Sequence, residues 1–164
     1  MNRISIMSII LILLLMLISC TNNSSDPQVP SSDLVGVDIQ AENWNTSIKL
    51  IDDPALLNSH KNGQDLTLRI ENLLNTPITF PDNFGTKVIR LDHQNWVSAT
   101  NNFYNTGLHT LPSKKSYPLG LVVTALPYVP NLQSSINIRV VIYGYAENNA
   151  NEPLGAYLDV MLNP

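Results

Sequence analysis

Leu66-Thr67-Leu68-Arg69-Ile70-Glu71 is the stretch that decides the fold class. Successive side chains of an extended chain point to opposite faces, so Leu66, Leu68 and Ile70 share one side and Thr67, Arg69 and Glu71 the other. Strict alternation of this kind predicts a half-buried strand. The same period returns near the C-terminus. Ile136, Ile138, Val140 and Ile142 alternate with Asn137, Arg139, Val141 and Tyr143, and Leu154, Ala156, Leu158, Val160 and Leu162 form a second apolar row. The polar run 147–153 between them predicts an antiparallel hairpin. Its inward residues are Ile138, Val140, Ile142, Leu158 and Val160, while Tyr143, Tyr145 and Tyr157 would form an aromatic stripe on its outer side by cross-strand packing.

Further strands are expected at 34–39, 47–51, 77–80, 87–91, 96–99 and 119–125, with Asp92-His93-Gln94-Asn95 turning the fourth of these into the fifth. Short strands at such spacing favour a sandwich or barrel. The one helix candidate is 53–58, one or two turns long, with Asp53 as cap and Pro54 at the first helical position. Nine prolines from Pro54 onward argue against a helical bundle and punctuate loops and strand edges, because proline cannot donate to a central ladder. Residues 34–164 fall within the size of one domain, and no internal repeat divides them. The expected architecture is a single all-β, antiparallel sandwich.

The first twenty residues read differently. Arg3 and the start amine precede a run, 4–18, built only from aliphatic residues, Met and Ser. At about fifteen residues it is shorter than the roughly twenty a helix needs to cross the hydrocarbon core, which favours an export signal over a permanent span. It ends in Leu17-Ile18-Ser19-Cys20, which resembles the lipobox of bacterial lipoprotein precursors. That resemblance implies a signal peptide over 1–19, cleavage just before Cys20, and a diacylglycerol on the Cys20 sulfur. The competing readings are an ordinary secretory signal in which Cys20 is incidental, and an uncleaved anchor. Residues 21–33 carry four Ser, two Asn, two Pro and two Asp with Val29 as the single aliphatic, too little apolar surface to offset chain entropy, so 20–33 is expected to be a lipidated flexible linker. The implied location is the extracytoplasmic side of the cell membrane or outer membrane, with the covalent lipid on Cys20 in place of any cofactor.

All thirteen acidic and eight of the nine basic residues lie beyond Cys20, leaving a side-chain charge of −5 there. Nucleic acid is disfavoured as a partner, because phosphate binding needs a concentrated basic footprint and Lys114-Lys115 is the only adjacent basic pair. A single cysteine excludes an internal disulfide.

Leu68-Arg69-Ile70-Glu71-Asn72, Pro77-Ile78-Thr79-Phe80, Phe84-Gly85-Thr86-Lys87-Val88-Ile89-Arg90, Trp96 and the ending Gly155-Ala156-Tyr157-Leu158-Asp159-Val160 resemble a group of uncharacterised bacterial exported proteins with immunoglobulin-like sandwiches. The resemblance implies a fold and supplies no activity. The disulfide pair of antibody-type domains is absent, so the likeness is architectural.

No nucleophile elbow, zinc-protease helix, phosphate loop or dinucleotide fingerprint occurs in the chain. His60, His93 and His109 have no pair at ligand spacing and read as loop or strand-end histidines. Asp52-Asp53 and Asp82-Asn83 offer calcium-type oxygens but fit turns and caps better, and no metal site is expected. Trp96 is expected to pack over the core. The candidate contact residues are Phe103 and Tyr104, an aromatic pair in the polar loop 100–107, and Tyr128 between Pro127 and Pro130, since aromatics give large rigid surfaces. A non-enzymatic interaction or assembly module with a protein or glycan partner is therefore the expected function. Glycan or solute binding through loop aromatics is the alternative, and a small hydrolase using a facing carboxylate pair a more distant one.

Overall fold

The computed structural model describes residues 29–102, 107–113 and 121–164. The leader, Cys20, Phe103 and Tyr104 lie outside the described residues. Two antiparallel sheets stack face to face, an immunoglobulin-like sandwich in the architectural sense. The first has the order β1 (Ile48–Ile51), β2 (Leu66–Asn72), β8 (Leu121–Tyr128), β6 (Thr100–Asn102). The second joins β5 (Asn95–Ser98), β4 (Lys87–Asp92), β9 (Ile136–Ala146), β3 (Ile78–Phe80) and β7 (His109–Leu111), with β10 (Asn149–Leu162) also on β9. β9 is the spine of this sheet: one edge carries β10 along its length, and the other carries β4 and then β3.

The alternation at Leu66 to Glu71 does what its pattern requires. Leu66, Leu68 and Ile70 are buried, facing Ile138, Val140 and Ile142 of the other sheet together with Ile48, Leu50, Phe80, Val88, Val123 and Val160 in one core. Leu158 is partly buried against the same core. The hairpin is longer and tighter than its polar run suggests: Ala146 pairs with Asn149 across Glu147-Asn148. The other residues of 147–153 belong to the strand, and a register shift between Asn149 and Pro153 absorbs the residues around a proline that cannot donate to the ladder.

The expected strand at 34–39 is instead a single helical turn, α1 (Ser32–Val35), followed by extended chain and a 3₁₀ turn at Ala41–Asn43. Gly36 ends α1 in the left-handed region (φ 86°), where its N–H donates to Ser32 O, a closure that glycine adopts without steric cost. Pro30 is buried and α1 begins at Ser32, so the last residues of the expected linker 20–33 are part of the fold. From there the chain crosses the outer face of the six-stranded sheet and buries Val35, Ile39 and Trp44 against Ile89 and Val141. The outer side of β9 is consequently a second small core instead of a solvated face. Trp96 packs there, on the outer face of its sheet and away from the inter-sheet core.

Trp44 bridges Gly155 in parallel, Asn45 N–H donates to Gly155 O and Asn45 Oδ1 accepts from Tyr157 N–H, which covers part of the β10 edge. The Trp44 ring lies so close to Gly155 that a Cβ there would collide with it.

The segment 100–107, expected as loop, contributes its first three residues to β6, which pairs with β8 through Thr100 and Tyr128. Asn72 ties the two sheets together: buried, it donates through Nδ2 to the carbonyls of Thr76, Leu111 and Pro112 and accepts from Leu74 N–H at 2.8 Å. The helix candidate at 53–58 appears as the 3₁₀ turn Pro54–Leu56, with Asp53 accepting from Ala55 N–H at 3.0 Å.

Candidate functional site

The two ends of the sandwich carry different chemistry. At the β1–β2 end the chain is braced on both sides of one residue, Leu57. Asp53 caps the turn before it. After it, Asn58 donates to Asp52 Oδ1 (2.7 Å) and Thr67 O (2.8 Å) and accepts from Thr67 N–H (2.9 Å), so the side-chain amide replaces a neighbouring strand where β1 has ended. Leu57 itself is 87% exposed and sits at φ 52°, ψ 41°. A branched side chain in the left-handed region costs roughly 1–2 kcal/mol. Six other non-glycine residues among those described share this region, and what sets Leu57 apart is a large apolar side chain left in solvent, where Phe84 in the same conformation is buried.

Asp52 and Asp53 are engaged by the chain's own donors. His60 Nε2 lies 2.7 Å from Asp52 Oδ2, and Arg69 reaches Asp53 Oδ2 at 3.1 Å and Glu71 Oε1 at 3.4 Å. These are turn, cap and surface-ion-pair roles. The other histidines are apart from them: His93 is 93% exposed beside Asp92, and the His109 ring stacks on Phe84 at 4.4 Å. Among the described residues no group of three or more His, Cys, Asp or Glu is placed to hold a metal ion. Asp82 accepts from Gly107 N–H at 2.9 Å.

Tyr128 closes β8 at the same end as Leu57, 44% exposed, with its ring over Gly63. β6 ends at Asn102, which pairs with Leu126. The structure therefore places Tyr128 on an exposed end and leaves the aromatic pair outside the described residues.

The tyrosine stripe of the hairpin is used internally. Tyr157 meets Trp44 edge-on at 5.7 Å, and Tyr143 meets Tyr145 at 6.1 Å. Burial, with Tyr145 adding to it, raises the Tyr143 phenol above its ordinary value of 10.0. Arg139, 1% exposed, lies with its guanidinium between the rings of Trp96 (4.3 Å) and Tyr157 (4.2 Å) and donates to both carboxylate oxygens of Asp159 at 2.5 and 2.8 Å. Alternation made Arg139 an outward residue; Trp96 of β5 and Tyr157 and Asp159 of β10 make it a buried, paired one.

At the opposite end a pocket of about 390 Å³ opens between the β9–β10 tip, the β2–β3 turn and the chain ahead of β1. Leu74, Ala146 and Leu154 give it apolar walls. Its rim is polar, and Glu152 is the single carboxylate on it.

No family model, curated protein or solved structure matches the chain. Among the described residues no helix is long and apolar enough to cross a membrane.

Proposed function

We propose that the protein is a lipid-anchored, extracytoplasmic interaction module, held to the membrane through Cys20 and binding a protein partner with the β1–β2 end of its sandwich. The observation that carries the binding role is Leu57: an almost fully exposed leucine, in a strained conformation, fixed between a capped turn and a doubly bonded asparagine. An apolar group held rigidly costs little entropy to bury on binding, which is the property of an interface anchor. Asp52 and Asp53 lie just before the same turn beside their partners His60 and Arg69, so the apolar anchor stands on a polar surface. Tyr128 extends the surface, and Phe103 and Tyr104 are further contact candidates from the sequence.

The anchor reading rests on the lipobox-like Leu17-Ile18-Ser19-Cys20 and on the polar linker composition between Cys20 and Pro30. Those intervening residues reach roughly 15–20 Å, at about 5–6 Å times the square root of their number, enough to stand the domain off the headgroups. A photo-cross-linking residue at position 57 or 128, incorporated in living cells, should give the same discrete adduct from both sites. Leu57→Gly relieves the left-handed strain, so it should melt no earlier than wild type while losing the adduct formed through position 128. Absence of a discrete adduct from both positions, or an unchanged adduct in Leu57→Gly, contradicts the proposal.

A further inference from the structure

The pocket at the other end of the sandwich has no part in that binding role, and its chemistry points to a different ligand. Glu152 is set in place by two amides: Asn43 Nδ2 donates to Oε1 and Asn149 Nδ2 to Oε2, each at 2.6 Å. Asn43 lies ahead of β1 and Asn149 on the hairpin, so these bonds fasten the hairpin tip to the crossing segment and fix the carboxylate. With one N–H of each amide spent on Glu152, each asparagine keeps its carbonyl oxygen and a second N–H, so this part of the rim offers acceptors and donors beside the carboxylate. Asn75, Thr76, Ser47 and Asn148 add amide and hydroxyl groups around it. Ala146 and Leu154 are buried beneath, with Leu74 partly buried beside them.

Acceptors and donors along an edge above an apolar floor match a molecule that is apolar on one face and carries groups that both donate and accept around its periphery. A pyranose ring has that form, with C–H groups on its face and hydroxyls around its edge. The volume of about 390 Å³ falls at the lower end of the roughly 300–1,000 Å³ of small-molecule sites and accommodates one or two such rings. We propose that this pocket binds a neutral saccharide, with Glu152 accepting from paired hydroxyls and Leu74, Ala146 and Leu154 supporting the ring.

The full chain, solubilised in a polyoxyethylene detergent that carries no sugar, is titrated with cellobiose, lactose and the β-1,4 dimer of N-acetylglucosamine by calorimetry and saturation-transfer NMR. At least one disaccharide should bind. Glu152→Gln, which keeps the shape but removes the charge and one of the two amide bonds, should weaken that binding about tenfold while lowering the melting temperature by no more than a few degrees, as expected for loss of a charged acceptor and one exposed hydrogen bond. Ser47→Leu, which fills the pocket without breaking the amide bonds to Glu152, should abolish it. No binding by any of the three sugars at about 20 mM, a level that detects even millimolar affinity, overturns the proposal. So does undiminished binding by Ser47→Leu, or a pocket that takes putrescine and no sugar, which would assign the acceptors to a cationic amine. Leu57 lies at the far end of the sandwich, so neither result bears on the cross-linking test.

Discussion

Trp44→Ala tests whether the crossing N-terminal segment belongs to the cooperative fold. Trp44 is 6% exposed, lies against Gly155, meets Tyr157 at 5.7 Å and shares a cluster with Val35, Ile39, Ile89 and Val141. Truncating a buried Trp to Ala costs about 3–5 kcal/mol through lost transfer energy and the cavity left behind. The lost aromatic pair belongs to the same range, since the Trp44 ring is the only part removed. Against a typical domain stability of about 5–15 kcal/mol this is a large share. At roughly 3–5 °C per kcal/mol for a domain of this size, the melting temperature should fall by about 10–20 °C. The assay is thermal unfolding of the full chain followed by far-ultraviolet circular dichroism, with urea unfolding as a second measure. Gly155→Ala is the companion, because its Cβ would collide with the same ring and should destabilise in the same direction. A loss below about 1 kcal/mol for Trp44→Ala, within the range of surface substitutions, would refute the packing of this segment on the sheet.

The sandwich core predicts that Leu68→Ala loses about 2–5 kcal/mol, whereas Thr67→Ala, which removes a partly buried methyl and the hydroxyl contact with Thr124 at 3.2 Å, loses about 1 kcal/mol or less; equal losses in urea titrations would contradict the register. The raised Tyr143 pKa means that the folded state holds this proton more tightly than the unfolded chain, so its contribution is complete below the unfolded value near 10.0 and is lost as pH rises through the folded value. Tyr143→Phe should therefore lose less stability than wild type above about pH 10, and parallel stability profiles through that range would count against it. Phe103→Ala with Tyr104→Ala should leave the melting temperature nearly unchanged while weakening partner adducts; a loss of several kcal/mol would place those rings in a structural role instead.

What the sequence made legible was whatever repeats along one strand. Leu66, Leu68 and Ile70 declare their face because their neighbours Thr67, Arg69 and Glu71 are polar and only partly buried. The β9–β10 pair declares itself for the same reason on its inner side. Its outer side misled, because Val141 is buried by a segment far away in the chain and Arg139 by Trp96 and Tyr157 of the flanking strands, and Val35, Ile39 and Trp44 follow neither the period of a strand nor that of a helix. β6 and β7 span three residues each, too short for a period to show. The exposed ends were less legible still. Asn148, Asn149 and Glu152 read as one polar turn, and only the fold brings Asn43 and Asn75 beside them. Leu57 read as part of a helical turn, and its exposure follows from the left-handed conformation that ends the turn one residue earlier.

The most direct test of the membrane-anchored account is the mass of the mature N-terminal peptide from protein purified out of its native membrane. The account predicts a chain that begins at Cys20 and carries a diacylglycerol thioether, with Cys20→Ala protein lacking both the lipid and its recovery in the membrane fraction. A mature protein beginning at another residue, or one whose Cys20 sulfur bears no lipid, would contradict it.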